Sequence, residues 1–366
     1  MKTYSASLFA ATLAATFAQS WAGEHEWKPQ LDQVYAPEKV MEMIFDTWNK
    51  YEANLDFDQG FQKTQPVWGI ATTPLFNDLM RTNSFDYPHF SWETNVNFVH
   101  YAGSWAVPVK YDLSDEDLEE LLGSVNGVFF AGGATPLVDM ETGETSLFYR
   151  TAQRIWNYMK KQKDEKGIDW PIFGICQGFE VIHYLANDDD KKTLSQNTIY
   201  LDSRPMSVKV ADLHLNSELF APFPEDLLKQ MREEPLLYHA HDWVIAVDTY
   251  EKRRQLRDFF KILATDTHDD LEFVIAVEGN HYPVTGVMFH PETQNRVIVG
   301  FPESPADVSI KGKVNNKVTD QINYYFSEHL LRQGLKSLST HRFKQPEFGA
   351  RMEWMNSSIG FTKFGQ

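Results

Sequence analysis

The chain has 366 residues, more than the usual single domain and enough to bury a sizeable core. Hydrophobic residues at 42% and charged residues at 23% exclude a disordered chain. A formal net charge of −17 with no basic stripe excludes nucleic acid and anionic membrane surfaces as partners.

Residues 1–22 read as a signal peptide. Lys2 precedes an apolar run around Leu8–Phe17, and Ser20-Trp21-Ala22 is a small-x-small cleavage pattern. That run is too short to span a bilayer, and no later segment approaches the length a span needs. Localisation in the secretory pathway follows, with secretion or delivery to a lysosomal or vacuolar lumen as the destination. Residues 23–62 form an N-terminal extension, with a helix expected from Pro37 through Tyr51.

An α/β domain then runs over residues 63–333. Pro66–Ala71 reads as a buried strand, Phe90–Tyr101 as a helix and Trp105–Val109 as a second strand. Ser114 followed by Asp115, Glu116 and Asp117 is an N-cap with acids in the first turn, opening a helix to Leu122. Gly127–Ala131 is a third strand, ending in Gly132-Gly133. Glu144–Lys163 is an amphipathic helix and Pro171–Ile175 a fourth strand. From Gln177 to Leu185 the apolar period becomes helical, until the acidic run Asp188–Asp190. Strands that are apolar throughout, alternating with helices, predict a doubly wound, mostly parallel sheet flanked by helices, a single compact domain with insertions. Further strands are expected at Ser207–Val210, Val244–Val247, Phe273–Val277 and Val284–Phe289, and a closing helix at Asn316–Gln333. Residues 334–366 read as an irregular tail, in which Asn356-Ser357-Ser358 is a glycosylation pattern.

Cys176 is the only cysteine in the chain, so no internal disulfide is available to it. Alone it could be a small buried hydrophobe or a nucleophile. It stands between Gly174 and Gly178, where a strand hands over to a helix. A nucleophile on such a turn needs small neighbours, and the helix N-terminus favours its thiolate. A thiol nucleophile needs a base. His290 in GVMFHPET follows an apolar strand, and Glu292 two residues on can orient the imidazole. By itself His290 could equally be a surface residue in a turn at Pro291, and Gly132-Gly133 a plain tight turn. Taken with Cys176, the backbone N–H of Gly133 and that of Gln177 become candidate donors to an oxyanion.

GICQG with HPE resembles the class I glutamine amidotransferase-like superfamily. Within it, PIFGICQGFE, EPLLYHAHDW and EGNHYPVTGVMFHPE resemble the gamma-glutamyl hydrolase family, over about Pro66 to Leu331. The resemblance implies Cys176 as nucleophile, His290 as general base and acid, and Glu292 as its support. It implies His241 of HAHDW, with His239 two residues away, and Glu180 four residues after the cysteine, as substrate-binding candidates. It also implies hydrolysis of folylpoly-γ-glutamates and antifolate analogues through a thioester, a small-molecule substrate, no cofactor, no metal, and a homodimer as one possible assembly. Two departures stand out: Met288 where superfamily members often carry glutamine, and no arginine between Gly133 and Arg150. Competing readings are a glutaminase or amidotransferase acting on another γ-glutamyl amide, and a silent binding protein on the same fold. The 10 tryptophans and 26 phenylalanines read as core, and none is assigned to a pteridine.

Overall fold

The computed structural model describes residues 65–74, 89, 91–138, 143–188, 190–293, 314, 316–341 and 343. All of them fall within one compact unit. The expected leader, the helix Pro37–Tyr51 and the pattern at Asn356 lie outside the described residues.

The elements in chain order are β1 (Val67–Ala71), α1 (Glu93–Tyr101), β2 (Trp105–Val109), α2 (Asp115–Leu122), β3 (Val128–Phe130), α3 (Leu147–Lys166), β4 (Ile172–Ile175) and α4 (Gln177–Ala186). There follow β5 (Ser195–Arg204), β6 (Ser207–Val208), α5 (Leu213–Asn216), α6 (Glu225–Glu233) and β7 (Leu237–Ala246). The last are α7 (Val247–Lys252), α8 (Arg254–Phe259), β8 (Phe260–His268), β9 (Leu271–Gly279), β10 (Val284–Val287) and α9 (Lys317–Leu335). The described strands form one ten-stranded sheet whose main path is β2-β1-β3-β4-β10-β9-β7-β5. From β2 to β10 every pairing is parallel. From β10 onward every pairing is antiparallel, with β8 on β9 and β6 on β8.

Side-chain alternation settles which face each helix covers. Phe129, Phe173 and Thr285 are register partners on β3, β4 and β10. The rings of Phe129 and Phe173 meet Phe98 of α1, and Thr285 meets His329 of α9. The next positions along, Gly174 and Gly286, lie against Gly178, Phe179 and Ile182 of α4. Helices therefore cover both faces of the parallel half, as period-2 alternation in a doubly buried sheet requires. Trp68, Phe98, Phe129, Phe173 and Phe179 are fully buried there, and each contributes about 1.5–3 kcal/mol by leaving water.

Boundaries follow local chemistry. The Ser114 hydroxyl accepts from Asp117 N–H, as its sequence pattern predicts. Helix α3 starts later than expected because the Ser146 side chain accepts from Tyr149 N–H, making Ser146 the cap. It runs on to Lys166, where Gly167 takes a left-handed conformation at φ 66°. Asn316 opens α9 with a capping box to Thr319. That helix reaches Leu335 instead of Gln333, and the following turn packs back on the sheet: Asn126 Nδ2 donates to His341 O at 2.9 Å. The strand expected at Val244–Val247 is the end of a longer one, β7, which begins at Leu237 and stops at Ala246, with Val247 opening α7.

Candidate active site

In an open parallel sheet, chemistry gathers outside the carboxyl ends of the strands, near where the strand order reverses. Here three adjacent strands deliver the residues. Gly132-Gly133 follow β3, Cys176 follows β4, and His290 follows β10.

Cys176 has φ 50° and ψ −109°, backbone that a non-glycine residue adopts only under strain. The surroundings over-determine it. Its N–H donates to Val287 O at 3.0 Å, and its carbonyl accepts from Glu180 N–H at 3.0 Å in the first turn of α4. The flanking glycines make the turn possible by their lack of bulk. A Cβ on Gly178 would stand 2.6 Å from the Phe130 carbonyl carbon, and one on Gly174 would stand 2.6 Å from Gly178 O. Helix α4 can thus seat its first turn directly on β3 and β4. The sulfur itself is buried, with Sγ 3.7 Å from Ala240 O of β7.

His290 Nδ1–H donates to Glu292 Oε1 at 2.7 Å. Glu292 is buried in the short turn Pro291–Thr293. That turn is anchored on both sides: His290 N–H donates to Tyr238 O at 2.8 Å, and Asn323 Nδ2 of α9 donates to Pro291 O at 2.6 Å. His290 Nε2 has no hydrogen-bond partner among the described residues. A Cβ on Gly132 would lie 2.8 Å from His290 Cε1 and 3.3 Å from Cys176 Cβ, so thiol and imidazole flank the same glycine. Burial pushes the His290 imidazolium down. The Glu292 carboxylate and the Cys176 thiolate outweigh it and hold His290 well above the ordinary histidine range. A thiolate, an imidazolium and an orienting carboxylate can together carry out acyl transfer.

The other sequence-stretch candidates gather round the same point. Gln177, the first residue of α4, is buried and turns its side chain to the loop after β3, where its Oε1 accepts from Thr135 N–H at 3.0 Å. Glu180 is buried, and burial followed by the nearby Asp242 carboxylate raises it to about 8. His241 lies on β7 beside Ala240, and its Nε2 is 3.0 Å from His239 Nδ1. Burial and the His290 charge lower His241 to about 3; burial first, then His241 and His290, hold His239 well below the ordinary histidine range. Sequence reasoning named His239 and His241 but missed the contact between them, and missed the β7 carbonyl beside the thiol. No strand is expected over HAHDW from its own letters, and the pairing of β7 with β5 makes it one. A separate cleft of about 460 Å³ stands away from this chemistry, at Pro283 and Val284 where β10 begins, and its lysines are held by Asp169, Glu278 and Glu218. Among the described residues no group of three or more His, Cys, Asp or Glu could hold a metal ion.

By its match to a family of such enzymes, the chain is a cysteine peptidase-type hydrolase on a doubly wound α/β sheet. The sequence profile of Peptidase C26 matches residues 66–292, and the chain belongs to that family. The gamma-glutamyl hydrolase of Bos taurus is 35% identical over 228 residues, 62% of this chain and 67% of that protein. That of Homo sapiens is 32% identical over the same shares, and that of Mus musculus 28% identical over 76% of this chain and 80% of that protein. Among solved structures, the glutaminase domain of Trypanosoma brucei CTPS with bound acivicin is similar at a TM-score of 0.45 and 13% identity, covering 74% of this chain and 94% of that one.

Proposed function

We propose that the chain hydrolyses γ-glutamyl bonds of folylpoly-γ-glutamates, and of antifolates built the same way. The observation that carries the reading is the convergence of Cys176, the His290–Glu292 pair and Gly132 at the ends of three adjacent strands. In this reading the Cys176 thiolate attacks the γ-carbonyl carbon. The oxyanion takes hydrogen bonds from the backbone N–H groups of Gly133 and Gln177. The His290 imidazolium gives its proton to the leaving amine, the C–N bond breaks, and a thioester remains. Neutral His290 then takes a proton from water as that water attacks the thioester carbonyl. Free carboxylate leaves, and the thiolate–imidazolium pair is restored. Glu292 keeps the ring oriented and charged.

His241 and Glu180 are the proposed contacts to substrate. A Glu180 raised to about 8 is neutral at pH 7, so it offers an O–H donor and adds no negative charge where an anionic tail must lie. Arg204 on β5 is the cation whose charge reaches His239 and His241, and its guanidinium is held by Asp202 and Asp266. The leader-like start over residues 1–22 supports a route through the secretory pathway.

The test compares kcat/KM for pteroyl-γ-diglutamate, its α-linked isomer and free glutamine, with Cys176→Ala as control. Preference for the γ-linked conjugate, abolished in a folded Cys176→Ala protein, is expected. Equal turnover of free glutamine would replace this reading with a glutaminase.

A further inference from the structure

The loop after β3 carries one of the two proposed oxyanion donors, yet no regular element holds Gly132–Pro136. What does hold it is the side chain of Gln177. Its Oε1 accepts from Thr135 N–H at 3.0 Å, and its Nε2 donates to Thr135 O at 2.6 Å. Both polar groups of one backbone residue are therefore taken by a single amide, and both partners are buried. A buried two-point contact of this kind fixes orientation as well as distance, because neither bond has water to replace it. The amide also presses on the donor itself: a Cβ on Gly133 would come within 2.9 Å of Gln177 Oε1.

We infer that the Gln177 side chain is a positioning residue for the oxyanion hole. The same residue supplies one donor from its backbone and locks the strand-end loop that supplies the other. The inference rests on the acyl-transfer reading above, and it concerns the side-chain amide, which that reading does not use. An oxyanion hole works through donors set in place before charge develops. Gln177 joins the two halves of the hole, so their separation does not depend on the loop's own stiffness.

The experiment measures three rates on the full chain, in the wild type and in Gln177→Leu, Gln177→Glu and Gly133→Ala. The first is hydrolysis of pteroyl-γ-diglutamate. The second is acylation by p-nitrophenyl acetate, which passes through an oxyanion whatever the natural substrate is. The third is alkylation by iodoacetamide, which displaces iodide at carbon and forms no oxyanion. Gln177→Leu keeps the volume and loses both hydrogen bonds. It should lower kcat on the conjugate and the acylation rate by about tenfold or more, short of the 10²–10³ seen when a donor is deleted outright. KM and the alkylation rate should stay within about twofold to threefold of wild type. Gly133→Ala pushes the amide from the other side and should reproduce this pattern. Gln177→Glu should be impaired at neutral pH, where a carboxylate faces Thr135 O. It should recover relative to wild type as the pH falls and the neutral acid can donate again.

Acyl rates within twofold of wild type in Gln177→Leu would overturn the inference. So would alkylation falling in step with acylation, which marks a general collapse of the site. A wild-type protein that cuts no γ-glutamyl bond would sink the functional reading alone, since the ester still reports on the clamp.

Discussion

At the scale of single residues, the charge state of His290 follows from two neighbours working against burial. Glu292 and the Cys176 thiolate raise it well above the ordinary range, so the imidazolium persists at neutral pH. In the proposed mechanism that proton goes to the leaving amine, so activity should fall as rising pH removes it. Glu292→Gln takes away the anion that supports this charge. The alkaline limb of the pH profile of kcat/KM should therefore move to lower pH, with a smaller loss at the optimum than in His290→Asn. His290→Asn removes proton transfer itself and should lose roughly 10²–10⁴-fold in kcat. An alkaline limb that stays in place in Glu292→Gln would show that the carboxylate does not set the charge on the ring. Cys176, His290 and Glu292 were legible as residues because their chemistry leaves a pattern in a few adjacent letters. The work of the Gln177 side chain was not. Its partner is the backbone of Thr135, 42 positions away, and backbone carries no letter.

At the scale of elements, the site depends on how closely α4 sits on the strands before it. Gly178 lies in the first turn of α4, against the Phe130 carbonyl at the end of β3. Gly178→Ala puts a methyl where backbone already is, and neither partner is the flexible end of a side chain. Overpacking of this kind costs about 1–3 kcal/mol or more, and the helix can relieve it only by lifting away from β3 and β4, carrying Cys176 with it. Reduced thermal stability together with slower alkylation of Cys176 is expected. A Gly178→Ala protein of wild-type stability and reactivity would mean that the contact is loose. The pair of glycines was legible in G-x-C-x-G, and so was the parallel half of the sheet, whose strands are apolar on both faces. The antiparallel half was legible only in fragments. β5, with polar residues along SQNTIYLDSR, pairs with β7 across a long sequence gap, and its register breaks at two bulges. Such a strand is defined by its neighbour, so neither its limits nor those of β7 show in its own pattern.

At the scale of the whole molecule, buried titratable groups pull stability in opposite directions with pH, and the balance can be predicted. Burial is the largest cause that lowers His183, His241 and His329 to about 3 and His341 to about 4, with His239 lowered as well. For each, the unfolded chain binds a proton near 6.5 that the folded chain refuses. Their contributions are complete above about pH 6.5 and are lost as pH falls toward the folded values, at about 1.4 kcal/mol per pH unit per group. Glu218 and Glu272, held below the usual range, add losses that begin only under about pH 4.5. The opposing groups are fewer. Glu180 keeps its proton up to about 8 in the fold but loses it near 4.5 when unfolded, so its contribution declines as pH rises between those values. His290, raised in the fold, contributes fully below about 6.5 and loses that contribution as pH climbs through its folded value. Between about pH 4.5 and 6.5 these five histidines, joined by His89 and His100, which burial also lowers, outweigh Glu180; above 6.5 the declining contributions of Glu180 and His290 set the slope. Stability should therefore peak near pH 6.5, with a steep acid limb and a shallow alkaline one. Scanning calorimetry at fixed ionic strength from pH 4.5 to 9 reads this directly as Tm. Glu180→Gln should flatten the alkaline limb below about pH 8 while leaving the steep acid limb in place. A Tm that holds level from pH 6.5 down to 5 would mean that these histidines accept protons inside the fold, and that the core around β7 and α9 admits water.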